Sequence, residues 1–216
     1  MRNSRSRHLI VSLATLVVLL IARWHAGSGL AHADELSQQM KVPPGAWICT
    51  AKSPTKVTIA LYGTPQCAIT RDWYFGTIAP LVKQHPDKVS IVMGQFWFAR
   101  PHPDGEEIAR LMLAARQHGK FCSAMKSLFD LLALEASAGR LTPAGKKALA
   151  TQLGLDLGAL EAEASSATVT SALQADKDYA ASIGVKATPT IFVNGRPLPR
   201  FDKQALRSMV EEELNK

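Results

Sequence analysis

Three cysteines, Cys49, Cys67 and Cys122, are the residues of this 216-residue chain with the most chemistry to offer. A thiolate attacks disulfides and other electrophiles, whereas a buried protonated thiol behaves as a small apolar group. An odd count leaves at least one of the three without a partner inside the chain. Cys67 has the most suggestive surroundings, because Pro65-Gln66-Cys67-Ala68-Ile69-Thr70 separates a strand-like run from a helical one. A thiol at such a junction faces unpaired backbone N–H groups and the positive end of the helix dipole, both of which stabilise its thiolate. These positions bring a cysteine pKa from about 8.5 into the range of roughly 3.5 to 7.5. Thr70, one turn along, is placed to donate a hydroxyl hydrogen bond to that thiolate and lower the pKa further. A threonine hydroxyl is not a thiolate, so it cannot resolve a disulfide formed at Cys67, and dithiol exchange between these two positions is excluded.

The other two cysteines admit several readings. Cys122 lies on or beside the apolar stripe of its helix and suits a buried hydrophobe. Cys49, beside Trp47 and Ile48, is a packed edge residue, a disulfide partner for Cys122, or a displaced resolving thiol for Cys67. Bridging needs Cα atoms within about 7 Å, a distance that sequence does not supply. His102, Asp104, Glu106, Glu107 and His118 carry metal-ligating types, but the three acids suit the first turn of a helix better, and no metal or other cofactor is expected.

The elements that must position Cys67 follow from periodicity and punctuation. Lys56 to Tyr62 alternates and is β-branched (Val57, Thr58, Ile59), a first strand broken by Gly63-Thr64-Pro65. Ile69, Trp73, Ile78 and Leu81 then recur at helical spacing, with Pro80 expected to kink that helix. Val89 to Phe98 reads as a second, buried strand, closing a strand-helix-strand unit of right-handed parallel type. Two apolar stripes, Ile108-Leu111-Met112-Ala115 and Phe121-Met125-Leu128-Phe129-Leu132, predict a pair of helices. Thr142-Pro143 starts another helix and Gly154 ends it, and further helices fit Leu157 to Ala164 and Ala167 to Ile183. Thr190 to Val193, the Asn194-Gly195 turn and Arg196 to Leu198 form a hairpin, and Asp202 caps a last helix. The expected fold is α/β: β-α-β, then helices, then β-β-α around one sheet.

That order, with three local patterns, resembles the DsbA-like branch of the thioredoxin superfamily, in which a helical insertion splits the fold. The patterns are Gly184-Val185-Lys186-Ala187-Thr188-Pro189-Thr190-Ile191-Phe192-Val193-Asn194-Gly195, the stretch from Phe96 to Phe121, and Pro65 to Thr70. The resemblance covers residues 56–216, with the insertion at about 104–183. It implies that Pro189 is cis, that Thr188 stands opposite Cys67 with an edge for an extended substrate, and that Cys67 is the nucleophile. The chain departs from the family's two-cysteine motif by carrying Thr70. Thr64, three residues before Cys67, is similar in spacing to the peroxidatic site of peroxiredoxins, but Ala60 stands where those proteins have proline.

The N-terminus reads as a secretory signal. Arg2, Arg5 and Arg7 precede an apolar run from Leu9 to Ala22, and Ala31-His32-Ala33 offers cleavage after Ala33. The run of 14 residues is short of the roughly 20 that cross a bilayer as a helix. Residues 1–33 hold four arginines and no acid, so the formal charge of +7 falls to +3 on their removal. Residues 34–55 read as an extended leader. The remaining basic residues are scattered among acids, which argues against nucleic acid as a partner, and no membrane contact is expected of the mature chain. The expected function is an exported, periplasmic or secreted, monothiol thiol-disulfide oxidoreductase. It would act on protein or glutathione mixed disulfides and be released by an external thiol. The alternative is a peptide-binding module that has lost the chemistry.

Overall fold

A computed structural model of the chain describes residues 48–49, 55–135 and 140–216, all within one unit, Met40–Lys216. The expected signal segment and almost all of the expected leader lie outside the described residues. Two parallel strands, β2 (Val57–Gly63) and β3 (Val89–Gln95), form the centre of a five-stranded sheet that runs in the order β1 (Ile48–Cys49), β3, β2, β4 (Thr190–Val193), β5 (Arg196–Pro197). Every residue of both strands is buried, as expected of parallel strands covered on both faces. Val57, Ile59 and Leu61 enter the larger core, whereas Ala60 and Tyr62 enter a smaller cluster with Val92, Ala180, Val185 and Phe192. The period-two alternation of a strand accounts for that division.

The strand expected to reach Phe98 ends at Gln95. Its parallel neighbour stops at the paired residue Gly63, so the ladder has nothing further to bond beyond Phe96, whose N–H donates to Gly63 O. At the same end Tyr62 lies directly across from Gly94, where a Cβ would fall 2.2 Å from the tyrosine ring. Only glycine lets the aromatic ring lie flat there.

The helix after β2 is not a kinked α-helix. It runs as α1 (Ala68–Trp73), a π-helical turn (Tyr74–Ile78) and α2 (Ala79–Gln84). Pro80 lacks an N–H for the preceding turn, and the wider π turn absorbs the missing hydrogen bond instead of a simple bend. Tyr74 in this turn stacks on Phe129, with ring centroids 4.1 Å apart and planes at 6°.

Between β3 and the closing hairpin come five helices, α3 (Gly105–Gln117), α4 (Phe121–Leu134), α5 (Pro143–Leu153), α6 (Leu157–Ala164) and α7 (Ala167–Ser182). Helix α3 buries the expected stripe and also Ala109, Leu113 and Ala114, because α4, α6 and α7 all pack on it. Thr142, Asp156 and Ser166 cap the N-termini of α5, α6 and α7 by accepting backbone N–H bonds. Strands β4 (Thr190–Val193) and β5 (Arg196–Pro197) pair antiparallel, and β4 pairs antiparallel with β2. Asn194 and Gly195 both have positive φ (46° and 77°), as a two-residue hairpin turn requires. Asp202 caps α8 (Lys203–Asn215).

Among the described residues, the segment before residue 56 contributes one element. Ile48–Cys49 is a two-residue strand, β1, antiparallel to β3, and Cys49 forms a disulfide with Cys122 of α4. Among the described residues no helix is long and apolar enough to cross a membrane.

Candidate active site at Cys67

Cys67 occupies the N-cap of α1, with extended backbone (φ −72°, ψ 118°), because the chain must turn out of β2 before the helix begins. Its N–H donates to Thr64 O at 3.0 Å and its carbonyl accepts from Arg71 N–H at 3.0 Å, so the residue is locked between turn and helix. The Thr64 hydroxyl accepts the Gln66 N–H and belongs to that turn.

The Cys67 residue is 6% exposed. Burial by itself pushes a thiol pKa up, yet the Cys67 thiol lies below its ordinary value. Burial is the largest single influence, but hydrogen bonds together outweigh it, led by the Thr70 hydroxyl and followed by the Thr70 N–H, the Thr188 hydroxyl and the Ile69 N–H. Thr188 Oγ1 donates to Cys67 Sγ at 3.6 Å. Thr70 Oγ1 is fully buried and has no formed hydrogen bond. We take it as a donor that engages the sulfur when the thiol ionises and has no partner while it is protonated. Thr70 fits because residue 63 is glycine: a Cβ there would stand 2.8 Å from Thr70 Oγ1.

The Thr188–Pro189 bond is cis, and Pro189 is buried directly before β4. Antiparallel pairing with β2 carries this loop to the end of β2 from which Cys67 departs. Cys67 and Thr70, from one helix start, and Thr188, from the cis-proline loop, thus converge from two separate stretches of sequence. Cys49 and Cys122 do not join them, since each is the other's disulfide partner with Cα atoms 5.4 Å apart. The reading of Cys122 as a free buried hydrophobe is corrected by this bond, and neither sulfur is available to resolve Cys67 in the disulfide-bonded state. Cys67 is the free cysteine.

A scan against family models matches residues 47–212 to the family described as Thioredoxin. The chain belongs to the thioredoxin family. Among solved structures, a thioredoxin-like oxidoreductase from Silicibacter pomeroyi DSS-3 is 21% identical, with TM-score 0.66, over 82% of this chain and 96% of that one. BdbD from Bacillus subtilis is 20% identical, with TM-score 0.60, over 81% and 97%. The α-DsbA1 of Wolbachia pipientis is 14% identical, with TM-score 0.65, over 83% and 96%. At these identities the likeness is one of fold, a thioredoxin-like sheet with a helical insertion. A comparison with curated proteins finds no match.

Three features of this thioredoxin-fold site were not foreseen from sequence. Arg71 Nη1 donates to Pro65 O at 3.0 Å and Gln66 O at 2.9 Å, bracketing the turn before Cys67. Gln66 Oε1 accepts the Asp104 N–H at 3.1 Å. The Asp104 carboxylate does not cap α3, although the residue sits at that helix's N-cap. It accepts from Arg140 and from Leu141 N–H instead, tying the turn at Cys67 to the start of α5. A basic residue one turn past a helix start is a readable signal for the first contact. The Asp104–Arg140 pair spans 36 residues and has no local signature. Of the other acids, Glu106 pairs with Arg110 and Glu107 with Lys146.

Proposed function

We propose that this chain is an exported monothiol thiol-disulfide oxidoreductase in which Cys67 is the nucleophile. The observation that carries the reading is a buried sulfur whose pKa is held down by hydroxyl and backbone donors beside a cis-proline loop. The Cys67 thiolate attacks one sulfur of a substrate disulfide. A new S–S bond forms to Cys67, the old one breaks, and the second substrate sulfur leaves as a thiolate. Release needs a thiolate from outside the site, because Thr70 cannot supply one. Glutathione or a substrate thiol attacks the mixed disulfide and regenerates the Cys67 thiolate. This cycle suits isomerisation and deglutathionylation better than net oxidation.

Thr70 and Thr188 support the thiolate, and the Thr188-Pro189 edge offers an extended substrate a backbone to pair with. Exposed Ile69, and Phe201 packed on Trp73 of the same short helix, supply apolar surface for a protein substrate. Similarity to a thioredoxin-like oxidoreductase supports the reaction class. The arginine-led, apolar N-terminus supports export and a periplasmic or secreted location, where a Cys49–Cys122 disulfide persists.

The test is a non-reducing gel of the exported protein after acid quenching and thiol blocking, run beside Cys67→Ser, with bands identified by mass spectrometry. Adducts that depend on Cys67 are the expected result. A uniformly free Cys67 without adducts would overturn the reading and favour a peptide-binding module.

A further inference from the structure

A two-cysteine site stores oxidising equivalents as an internal disulfide. Cys67 has no such store: position 70 is threonine, and Cys49 and Cys122 are bonded to each other. A single sulfur can hold two oxidising equivalents only by bonding to something else, and an oxygen atom is the smallest choice.

The surroundings of Cys67 suit an oxygen. Thr70 Oγ1 is fully buried, has no hydrogen-bond partner and acts on the Cys67 sulfur. A buried hydroxyl without a partner is rare in folded proteins and marks a place where an acceptor belongs. Thr188 Oγ1 donates to the same sulfur from the cis-proline loop at 3.6 Å, and an oxygen carried by that sulfur would also lie within its reach. The residue's 6% exposure admits a small oxidant more readily than a bulky one.

We propose that Cys67 is a sulfenylation site, oxidised by hydroperoxides to a sulfenic acid that Thr70 and Thr188 hold by hydrogen bonds. The inference rests on Cys67 being the reactive thiol of the proposed function, and it names the oxidant class that charges that thiol. In the step, the Cys67 thiolate attacks one peroxide oxygen. An S–O bond forms and the O–O bond breaks. Sulfur loses two electrons and the leaving oxygen gains them, departing as hydroxide or alkoxide, while the transferred oxygen keeps its proton as Cys67–SOH. An external thiolate then displaces hydroxide from that sulfur, forming the mixed disulfide through which exchange proceeds.

The test uses the full chain with the Cys49–Cys122 bond intact and Cys67 reduced. Hydrogen peroxide is added in excess over the thiol, a cyclic 1,3-dione is added after increasing delays, and products are read by intact and peptide mass. The expected result is a gain of one oxygen confined to Cys67, trapped by the dione even after long delay. In Thr70→Val the trappable species should decay about fivefold faster toward two- and three-oxygen products, as loss of one hydrogen bond to a neutral group would allow. Thr70→Ser should restore the long lifetime, which a merely misfolded variant would not do. Absence of a dione adduct at any delay, passage straight to two oxygens, or equal lifetimes in the parent chain and Thr70→Val would overturn the inference. A parallel sample with glutathione disulfide separates the two readings. Mixed disulfide without sulfenic acid sinks only the inference, while failure of both reactions sinks the proposed function as well.

Discussion

Cys67 and Asp176 are both buried weak acids near β2, and their pKa values move in opposite directions. Asp176, on α7, acts on buried Tyr62 of β2 and has its carboxyl pushed up to about 6 from 3.8 by burial, with only the Arg116 charge opposing. At Cys67 burial pushes the same way, but hydroxyl and backbone donors from Thr70, Thr188 and Ile69 outweigh it. Burial alone therefore does not decide whether a group ionises. The number of donors that the fold aims at the charged form decides it, and at Cys67 those donors come from α1 and the cis-proline loop together.

Cys67→Ser should remove the contrast altogether. Mixed-disulfide formation with glutathione disulfide is expected to vanish, with the thermal unfolding midpoint essentially kept. Residual exchange in this variant would assign the chemistry to another sulfur. Next in size, Cys49→Ser with Cys122→Ser should cost roughly 2–5 kcal/mol of stability, as loss of a bond between distant residues does. Its alkylation rate at Cys67 should stay the same. A large change in that rate, measured beside chemical denaturation, would show that the disulfide supports the site and not only the fold.

Asp176→Asn should stabilise the protein at pH 7 by up to about 3 kcal/mol, the value of a shift of roughly two pKa units. Because the folded pKa is raised, stability from this carboxyl is full below about pH 4 and is lost as pH rises through about 6. The variant should flatten the unfolding free energy between those pH values, and an unchanged slope would mean that burial does not govern Asp176. Smaller again is the expected effect of Thr70→Val on iodoacetamide labelling. Removing a donor to the thiolate should move the labelling midpoint to higher pH and slow the reaction at pH 7 by about tenfold. Thr188→Val should do less, since its hydroxyl lowers the thiol pKa less than that of Thr70 does.

Much of the fold was legible because its elements carry local signals. Thr142-Pro143, Asp202 and Asn194-Gly195 state their roles in one or two residues, and caps and turns are local physics. Pro80 is expected to kink its helix, and a π turn stands there instead, because whether a helix bends or widens depends on what packs against it, here Tyr74 on Phe129. The end of β3 was missed because a strand stops where its neighbour stops, and Gly63 lies 32 residues from Gln95. In the candidate site, Cys67 and Thr70 were visible as i and i+3 of one helix. The bracket from Arg71 and the tie through Gln66, Asp104 and Arg140 were not.

By itself the sequence determined that one sulfur stands at a strand-to-helix turn with threonine where a second sulfur would be, and that β-α-β and β-β-α halves enclose a helical stretch. Residue identity and short-range periodicity suffice for that, since helices, turns and missing thiols need no distant partner. Only the tertiary structure decided that Cys49 pairs with Cys122, that Thr188 reaches Cys67, and that hydrogen bonding outweighs burial at its thiol. Each of these depends on a distance or a balance of fields between residues far apart in the chain, and those exist only once the sheet has closed.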